Sequence, residues 1–277
     1  MNKRITVSYP KIKNMGDLLN QDIIQKCFGL TAISRSHFTC RLSGIGSGLG
    51  QYTYGETGWK NAVKAVAGIF FPKVYIWGTG FIRYTQKEEK FYKRNTVICA
   101  VRGQLTKSRV EKILGHTIDV PLGDPGILAS HLLDHAPEKK FRVGIIAHYK
   151  EQDEPAFHNL LSRYPNSVFI DVTMTPEEVV NQIAECEVIL SSSLHGLIIA
   201  DSLNIPNRHI VVTDKLMGDG YKFDDYYSAY GLPHVYTDAN SGVDISLEEV
   251  IAQYQITPQM VNKMQNDLLS AFPIAKS

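Results

Sequence analysis

Val188-Ile189-Leu190-Ser191-Ser192-Ser193-Leu194-His195-Gly196 runs straight into Leu197-Ile198-Ile199-Ala200-Asp201-Ser202-Leu203. The spacing of its apolar residues changes within the stretch. Three consecutive apolar residues have the character of a buried strand, serines and a glycine supply a turn, and Leu197 to Leu203 continues at helical spacing. A helix that begins there leaves N–H groups unpaired and turns its positive dipole end toward His195, so a phosphate or carboxylate is accommodated at that point. The same residues also fit a plain turn in which the histidine caps the helix or bonds a carbonyl.

Moving outward, strand-like runs alternate with helical patterns through the whole second half. Residues 143–148 form a strand pattern, 155–164 a helix and 168–171 a strand. Thr175-Pro176-Glu177-Glu178 joins a capping residue, a proline at the first helical position and an acidic first turn, which predicts a helix through Ala184. Strands follow at 188–191 and 210–212, on either side of the His195 helix. This alternation predicts a parallel sheet covered by helices, a Rossmann-like unit.

The first half repeats the alternation more weakly, with strands expected at 5–9, 38–42, 74–77 and 97–101. Gly44, Gly46, Gly48 and Gly50, then Gly78 and Gly80, fall in or just after those strand ends, where α/β sheets bind ligands. The Gly44–Gly50 cluster only superficially echoes a dinucleotide fingerprint, because no βαβ unit with a matching acidic residue follows it and no Walker sequence is present. His135-Ala136-Pro137-Glu138-Lys139-Lys140 is polar and contains a proline. It divides the chain into an N-terminal Rossmann-like domain, 1–137, which carries the glycine-rich loops, and a C-terminal one, 138–277, with a cleft between them. Thr257-Pro258 starts a final helical pattern, and the segment 257–277 is expected either to cross back onto the first half or to pack locally.

Composition excludes several classes. The 277 residues are 44% apolar and 21% charged with a formal net charge of +1, so the chain is neither disordered nor a polyelectrolyte suited to nucleic acid. No apolar run reaches the ~20 residues that span a bilayer, and the start of the chain lacks the apolar core of a secretion signal. A cytoplasmic protein is expected, in at most peripheral contact with the inner face of the membrane. Cys27, Cys40, Cys99 and Cys186 lack the close paired spacing of zinc or redox motifs and are expected reduced. There is no His-Glu-x-x-His and no Asp-x-Asp, so neither a metal nor a bound cofactor is expected.

Several residues carry chemistry by position. Asn14-Met15-Gly16-Asp17-Leu18-Leu19-Asn20 follows the first strand and opens a helix, with Asp17 near its start. Arg102 closes an apolar run at a strand end, where a guanidinium can clamp a carboxylate or phosphate with two bonds or simply form a surface salt bridge. His148 and Lys150 stand at the end of the first strand of the second half, in line with the cleft, or are solvated loop residues. Gly218-Asp219-Gly220-Tyr221-Lys222-Phe223-Asp224-Asp225-Tyr226-Tyr227 mixes acids with aromatic faces, a composition suited to a sugar ring or to finishing a core.

Together these pieces resemble the polysaccharide pyruvyl transferase family. The residues that carry the resemblance are Asn14-Met15-Gly16-Asp17, Trp77-Gly78-Thr79-Gly80, Val101-Arg102-Gly103-Gln104-Leu105-Thr106, Gly123-Asp124-Pro125, His148-Tyr149, Ser192-Ser193-Leu194-His195-Gly196 and Lys222-Phe223-Asp224-Asp225-Tyr226-Tyr227. The resemblance implies two Rossmann-like domains similar to the B-type glycosyltransferase fold, 1–137 on the acceptor side and 138–277 on the donor side. It also implies phosphoenolpyruvate as donor substrate and a pyruvate ketal formed on two hydroxyls of a sugar in a surface polysaccharide or its precursor. The expected catalytic residues are His195, Arg102 and His148. Gly16, Asp17, Asn20, Gly78, Gly80, Lys150, Ser192, Ser193, Leu194, Gly196, Lys222 and Asp225 are the expected substrate-binding positions. Many relatives carry an arginine where this chain has Ser193 and a proline where it has Ala147, so Arg102, Lys150 and the helix N-terminus are left to hold the donor's charges. A nucleotide-sugar glycosyltransferase of the same architecture and a non-catalytic sugar-binding module are the competing expectations.

Overall fold

A computed structural model describes residues 3–10, 14–55, 63, 66, 68–213, 219–239 and 245–273. Gly218 and residues 274–277 of the expected tail lie outside the described residues.

Two five-stranded parallel sheets organise the chain. The first comprises β1 (Arg4–Ser8), β2 (Thr31–Arg35), β3 (Leu42–Ser43), β5 (Val74–Trp77) and β7 (Thr96–Ala100), in the spatial order β2-β1-β3-β5-β7. β4 (Thr53–Gly55) and β6 (Glu89–Phe91) form a separate antiparallel pair. The second sheet comprises β8 (Phe141–Ile146), β9 (Ser167–Phe169), β10 (Cys186–Ser191), β11 (Asn207–Val211) and β12 (Tyr236–Asp238), in the order β9-β8-β10-β11-β12. In each sheet the first strand lies between the second and the third, which is the doubly wound order with a topological switch point beside the first strand. The chain is thus two Rossmann-like α/β units facing one cleft, the arrangement of B-type glycosyltransferases.

Helices cover the sheets. They are α1 (Met15–Phe28), α2 (Gln104–Leu114), α3 (Pro155–Arg163), α4 (Pro176–Ala184), α5 (Leu194–Ser202), α6 (Tyr221–Ser228), α7 (Leu247–Gln253) and α8 (Pro258–Ser270), with a 3-10 segment at Pro125–Leu132. Local signals explain the sharpest boundaries. Thr175 and Glu178 form the reciprocal capping box anticipated for α4, and Thr257 caps α8 through the Met260 N–H. α5 is buried along nearly its whole length, with Leu197, Ile198 and Ile199 fully enclosed, as befits a helix between other layers. Each such side chain contributes about 1.5–3 kcal/mol through burial.

The first half departs from expectation at its edge. Residues 36–39 form a turn in place of the expected strand, and the edge strand lies earlier, at β2. Phe38 reads as a strand residue because it is apolar, but its ring packs from the turn against Phe71 at 5.2 Å.

One apolar cluster runs through both halves, from Val7 and Leu19 to Ile189 and Leu197. α8, although last in the chain, packs on the first half. Trp77 Nε1 donates to the Leu268 carbonyl at 2.9 Å, Gln265 Nε2 to the Ile127 carbonyl at 2.8 Å, and Phe272 stacks on Phe28 at 3.6 Å. Among the described residues no helix is long and apolar enough to cross a membrane, and the four cysteines are unpaired.

Candidate active site

The carboxyl ends of the two sheets' central strands face each other across a cavity of about 160 Å³. Its first-half wall is made by Asn14, Asp17, Gly46, Ser47 and Ile82; its second-half wall includes His148, Tyr149, Lys150, His195 and Lys222. Ligands of doubly wound sheets bind at such switch points, because the first and third strands send their following loops to opposite faces and leave a crevice.

β10 delivers His195. After Ser191 the chain turns through Ser192 and Ser193, and Ser191 Oγ holds that turn by accepting the Ser193 N–H at 3.0 Å and donating to its carbonyl at 2.9 Å. Ser193 is the N-cap of α5 but makes no side-chain cap bond, so the helix start keeps donors free beside the cavity. His195 sits in this first turn, its ring pressed against the first turn of α1. A β-carbon on Gly16 would lie 2.2 Å from His195 Nδ1. His195 Nε2 is buried and has no hydrogen-bond partner. α1 is held in this position by the Met15 N–H, which donates to the Val172 carbonyl of the other half at 2.9 Å. Two helix N-termini therefore converge on one imidazole.

β8 delivers His148. Its backbone N–H donates to Ser192 Oγ at 2.9 Å, and its Nδ1 accepts the Lys150 N–H at 3.3 Å, which leaves the ring proton on Nε2 when the imidazole is neutral. Lys222 enters from α6. These groups repel one another in their charged forms. Burial and then the Lys222 charge push His195 down to about 3, and burial with Lys222 and Lys150 pushes His148 down to about 4. Burial and the charge of Arg102 bring Lys222 down to about 8. A cluster of half-buried imidazoles and the Lys222 ammonium, with the exposed Lys150 at its rim, is a site prepared for an anion, since an anion would reverse each of these costs. On the opposite wall burial raises the Asp17 carboxyl to about 6, partly offset by the Asn14 amide that donates to it at 3.2 Å.

Several expected ligand-binding residues instead build the scaffold. Arg102 is fully buried and committed to protein: Nε donates to Asp225 at 2.9 Å, Nη1 to Ser47 Oγ at 2.6 Å and Nη2 to the Phe81 carbonyl at 2.5 Å. A guanidinium taken from water needs such compensation, so Arg102 backs the cavity wall through Ser47 and is not a direct clamp. Asp225, also fully buried, accepts from Arg102 and from the N–H and hydroxyl of Thr106 at 2.7 and 2.6 Å. It thereby caps α2 from the other half of the molecule. Gly103, the formal N-cap, has no side chain to offer, and a β-carbon there would strike the Asp225 carbonyl at 1.7 Å.

Asn20 is likewise structural, with Oδ1 accepting the Ile45 N–H at 3.1 Å. Gly78 admits Pro125, Gly80 admits the Arg102 guanidinium and Gly196 admits Ser191 Oγ, each at a distance no β-carbon tolerates. Ser192 is buried and donates to Glu151 Oε2 at 2.7 Å. Ser193 and Leu194 do reach the cavity, as do Lys150 and Lys222.

Sequence reading misses Glu151. This fully buried carboxylate is held by Ser192 and by the Thr213 hydroxyl, and its negative charge supports Lys222. It lies in the polar run Lys150-Glu151-Gln152-Asp153-Glu154, which has the signature of a solvated loop. Ser47 is missed too, and the glycine cluster around it is the available signal; Tyr149, legible only as part of the His148-Tyr149 pair, lines the cavity as well.

A protein of Acanthamoeba polyphaga mimivirus described as uncharacterized is 30% identical over 176 residues, 61% of this chain and 59% of that protein. The chain thus spans 59% of the length of the curated relative it matches. A functionally uncharacterized Klebsiella pneumoniae protein of known structure superposes with a TM-score of 0.46 at 14% identity, covering 82% of this chain and 87% of the other. The E. coli heptosyltransferase WaaC, solved with ADP-2-deoxy-2-fluoro heptose, gives 0.33 at 12% identity, with 78% and 91% covered. The family model for polysaccharide pyruvyl transferase matches residues 45–214, a span that includes Gly46, Gly48, Gly50, Arg102, His148 and His195. The chain belongs to the polysaccharide pyruvyl transferase family.

Proposed function

We propose that the cavity binds phosphoenolpyruvate and that the protein transfers the enolpyruvyl group to two hydroxyls of a sugar, closing a pyruvate ketal and releasing inorganic phosphate. The observation that carries this reading is the unpartnered, buried Nε2 of His195, set among Lys222, His148 and the free start of α5. A small multiply charged anion satisfies all of these at once.

His195 is neutral in the free protein, because burial and Lys222 hold its protonated form down. Arrival of the donor's phosphate and carboxylate cancels the surrounding positive charge and makes the imidazolium favourable. The imidazolium then protonates the methylene carbon of the enol phosphate, and a sugar hydroxyl attacks the cationic carbon. Asp17, poised near neutrality on the facing wall, accepts the hydroxyl proton. The C–O bond to phosphate breaks with the electron pair leaving on phosphate, which Lys222, Lys150 and the α5 N–H groups stabilise. The second hydroxyl attacks the same carbon and closes the ring, and its proton passes to the now neutral His195. Arg102 acts as a positioning residue through Ser47, and Glu151 through Ser192.

The test is incubation with phosphoenolpyruvate and a panel of diol-bearing glycans, following phosphate release and a mass gain matching pyruvate. Thermal stabilisation by nucleotide sugars but not by phosphoenolpyruvate would overturn the reading in favour of a glycosyltransferase, and binding of glycans without phosphate release would favour a sugar-binding module.

A further inference from the structure

A second and larger pocket, about 450 Å³, opens beside the cavity and shares Asp17, Ser47 and Tyr149 with it. It occupies the switch point of the first sheet, where β1, β2 and β3 end at Ser8, Arg35 and Ser43. We propose that this pocket is the acceptor subsite and that Arg35 makes it selective for saccharides bearing an anionic group. The proposal rests on the pyruvyl-transfer reading for the identity of the neighbouring donor.

The pocket's outer wall is built. Arg94, itself buried, donates from Nε to the Pro72 carbonyl at 2.6 Å and from its two terminal nitrogens to the carbonyls of His37 and Cys40. That grip fixes the turn following Arg35. Ser34 Oγ donates to the Tyr9 carbonyl at 2.8 Å, pinning Tyr9 beside the end of β2. Tyr9 and Tyr149 contribute aromatic faces, and Gln51 and Thr79 contribute polar edges. Such a mixture suits a sugar ring.

Charge supplies the selectivity. Among the described residues that line this pocket, Arg35 is the one guanidinium or ammonium group and Asp17 the one carboxylate. They sit at different places in it, Asp17 where the two cavities join and Arg35 at the end of the edge strand β2. Arg35 is exposed, and its planar fork matches a phosphate or carboxylate. A sugar whose hydroxyls reach Asp17 and whose anionic substituent reaches Arg35 spans the pocket. Tyr9, Arg35 and His37 also precede residue 45, where the family match begins, so this wall belongs to the part of the chain outside that match.

The experiment compares glucose, glucose 1-phosphate and glucuronic acid as ligands of the whole protein by calorimetry, and as acceptors where turnover is seen, for the wild type, Arg35→Ala and Arg35→Lys. The expected result is binding of an anionic sugar at least about tenfold tighter than glucose. Arg35→Ala should lose that preference, read as a rise in KM and Kd for the anionic sugar with no change for glucose binding, and Arg35→Lys should restore part of it. A preference for the phosphate over the uronate, or the reverse, identifies which anion the site reads. Equal binding of all three sugars, or a preference that survives Arg35→Ala, overturns the proposal. If phosphate release from phosphoenolpyruvate continues in that case, the transferase reading stands without it; absence of phosphate release with every acceptor strikes the transferase reading, while the calorimetry still decides the anion preference.

Discussion

Gly16 and His195 are packed so closely that a methyl group on the Gly16 α-carbon would stand 2.2 Å from the imidazole Nδ1. This contact joins the first turn of α1 to the first turn of α5, one from each half of the molecule. The position of the imidazole is therefore set by a residue that has no side chain.

Gly16→Ala accordingly displaces the ring. In an exposed helix the substitution would stabilise by up to about 1 kcal/mol, so a purely local view expects a neutral or improved protein. The contact predicts instead a loss of turnover of about 100-fold or more with unchanged circular dichroism. A variant with wild-type rates would show that the ring tolerates displacement.

Ligand binding should take up protons. His195 and His148, held down to about 3 and about 4 in the free protein, are neutral at pH 7, and an anion between them raises both values. Binding of phosphoenolpyruvate near pH 6.5 is expected to consume about one proton, measured as a dependence of calorimetric heat on the ionisation enthalpy of the buffer. Heat independent of the buffer would mean that neither imidazole changes its charge.

Lys222→Met separates binding from acid strength. Losing the ammonium weakens the hold on the donor, so KM for phosphoenolpyruvate should rise about tenfold or more. It also removes the main positive charge that disfavours the imidazolium of His195. The pKa of His195 then moves up, and the limb of the pH–rate profile that reports it shifts to higher pH. An unmoved profile would place the reporting group elsewhere.

The Arg102–Asp225 pair is predicted to be structural. Both side chains are fully buried, and Asp225 additionally caps α2 through Thr106. Asp225→Asn leaves a guanidinium unpaired in the interior and should cost about 3–5 kcal/mol in denaturant unfolding. Replacing both partners with apolar residues of similar volume should recover a large part of that loss. A single substitution costing under about 1 kcal/mol would show that water reaches the pair.

Legibility in the sequence follows the range of the interaction. The α4 boundary was readable because Thr175, Pro176 and Glu178 act on one another within a single turn, and the strand at 74–77 because its run of apolar residues is local. β2 is not legible in the sequence because an edge strand buries only part of its surface, and Thr31, Ile33 and Ser34 remain half-buried, without the continuous apolar run of a central parallel strand.

The sequence by itself determined the alternation of strands and helices, the caps that start α4 and α8, and the placing of His148, His195 and the glycine loops at strand ends. Those features depend on hydrogen bonds and side-chain periodicity over a few residues. Only the tertiary structure decided which of them meet a ligand. It turned Arg102 and Asp225 inward on each other and assigned Gly78, Gly80 and Gly196 to close packing. It also brought Lys222, Asp17 and the unmarked Glu151 to the cleft or its supporting wall. Charge compensation and steric exclusion act between groups distant in the chain, so their outcome is fixed when the two sheets are set face to face.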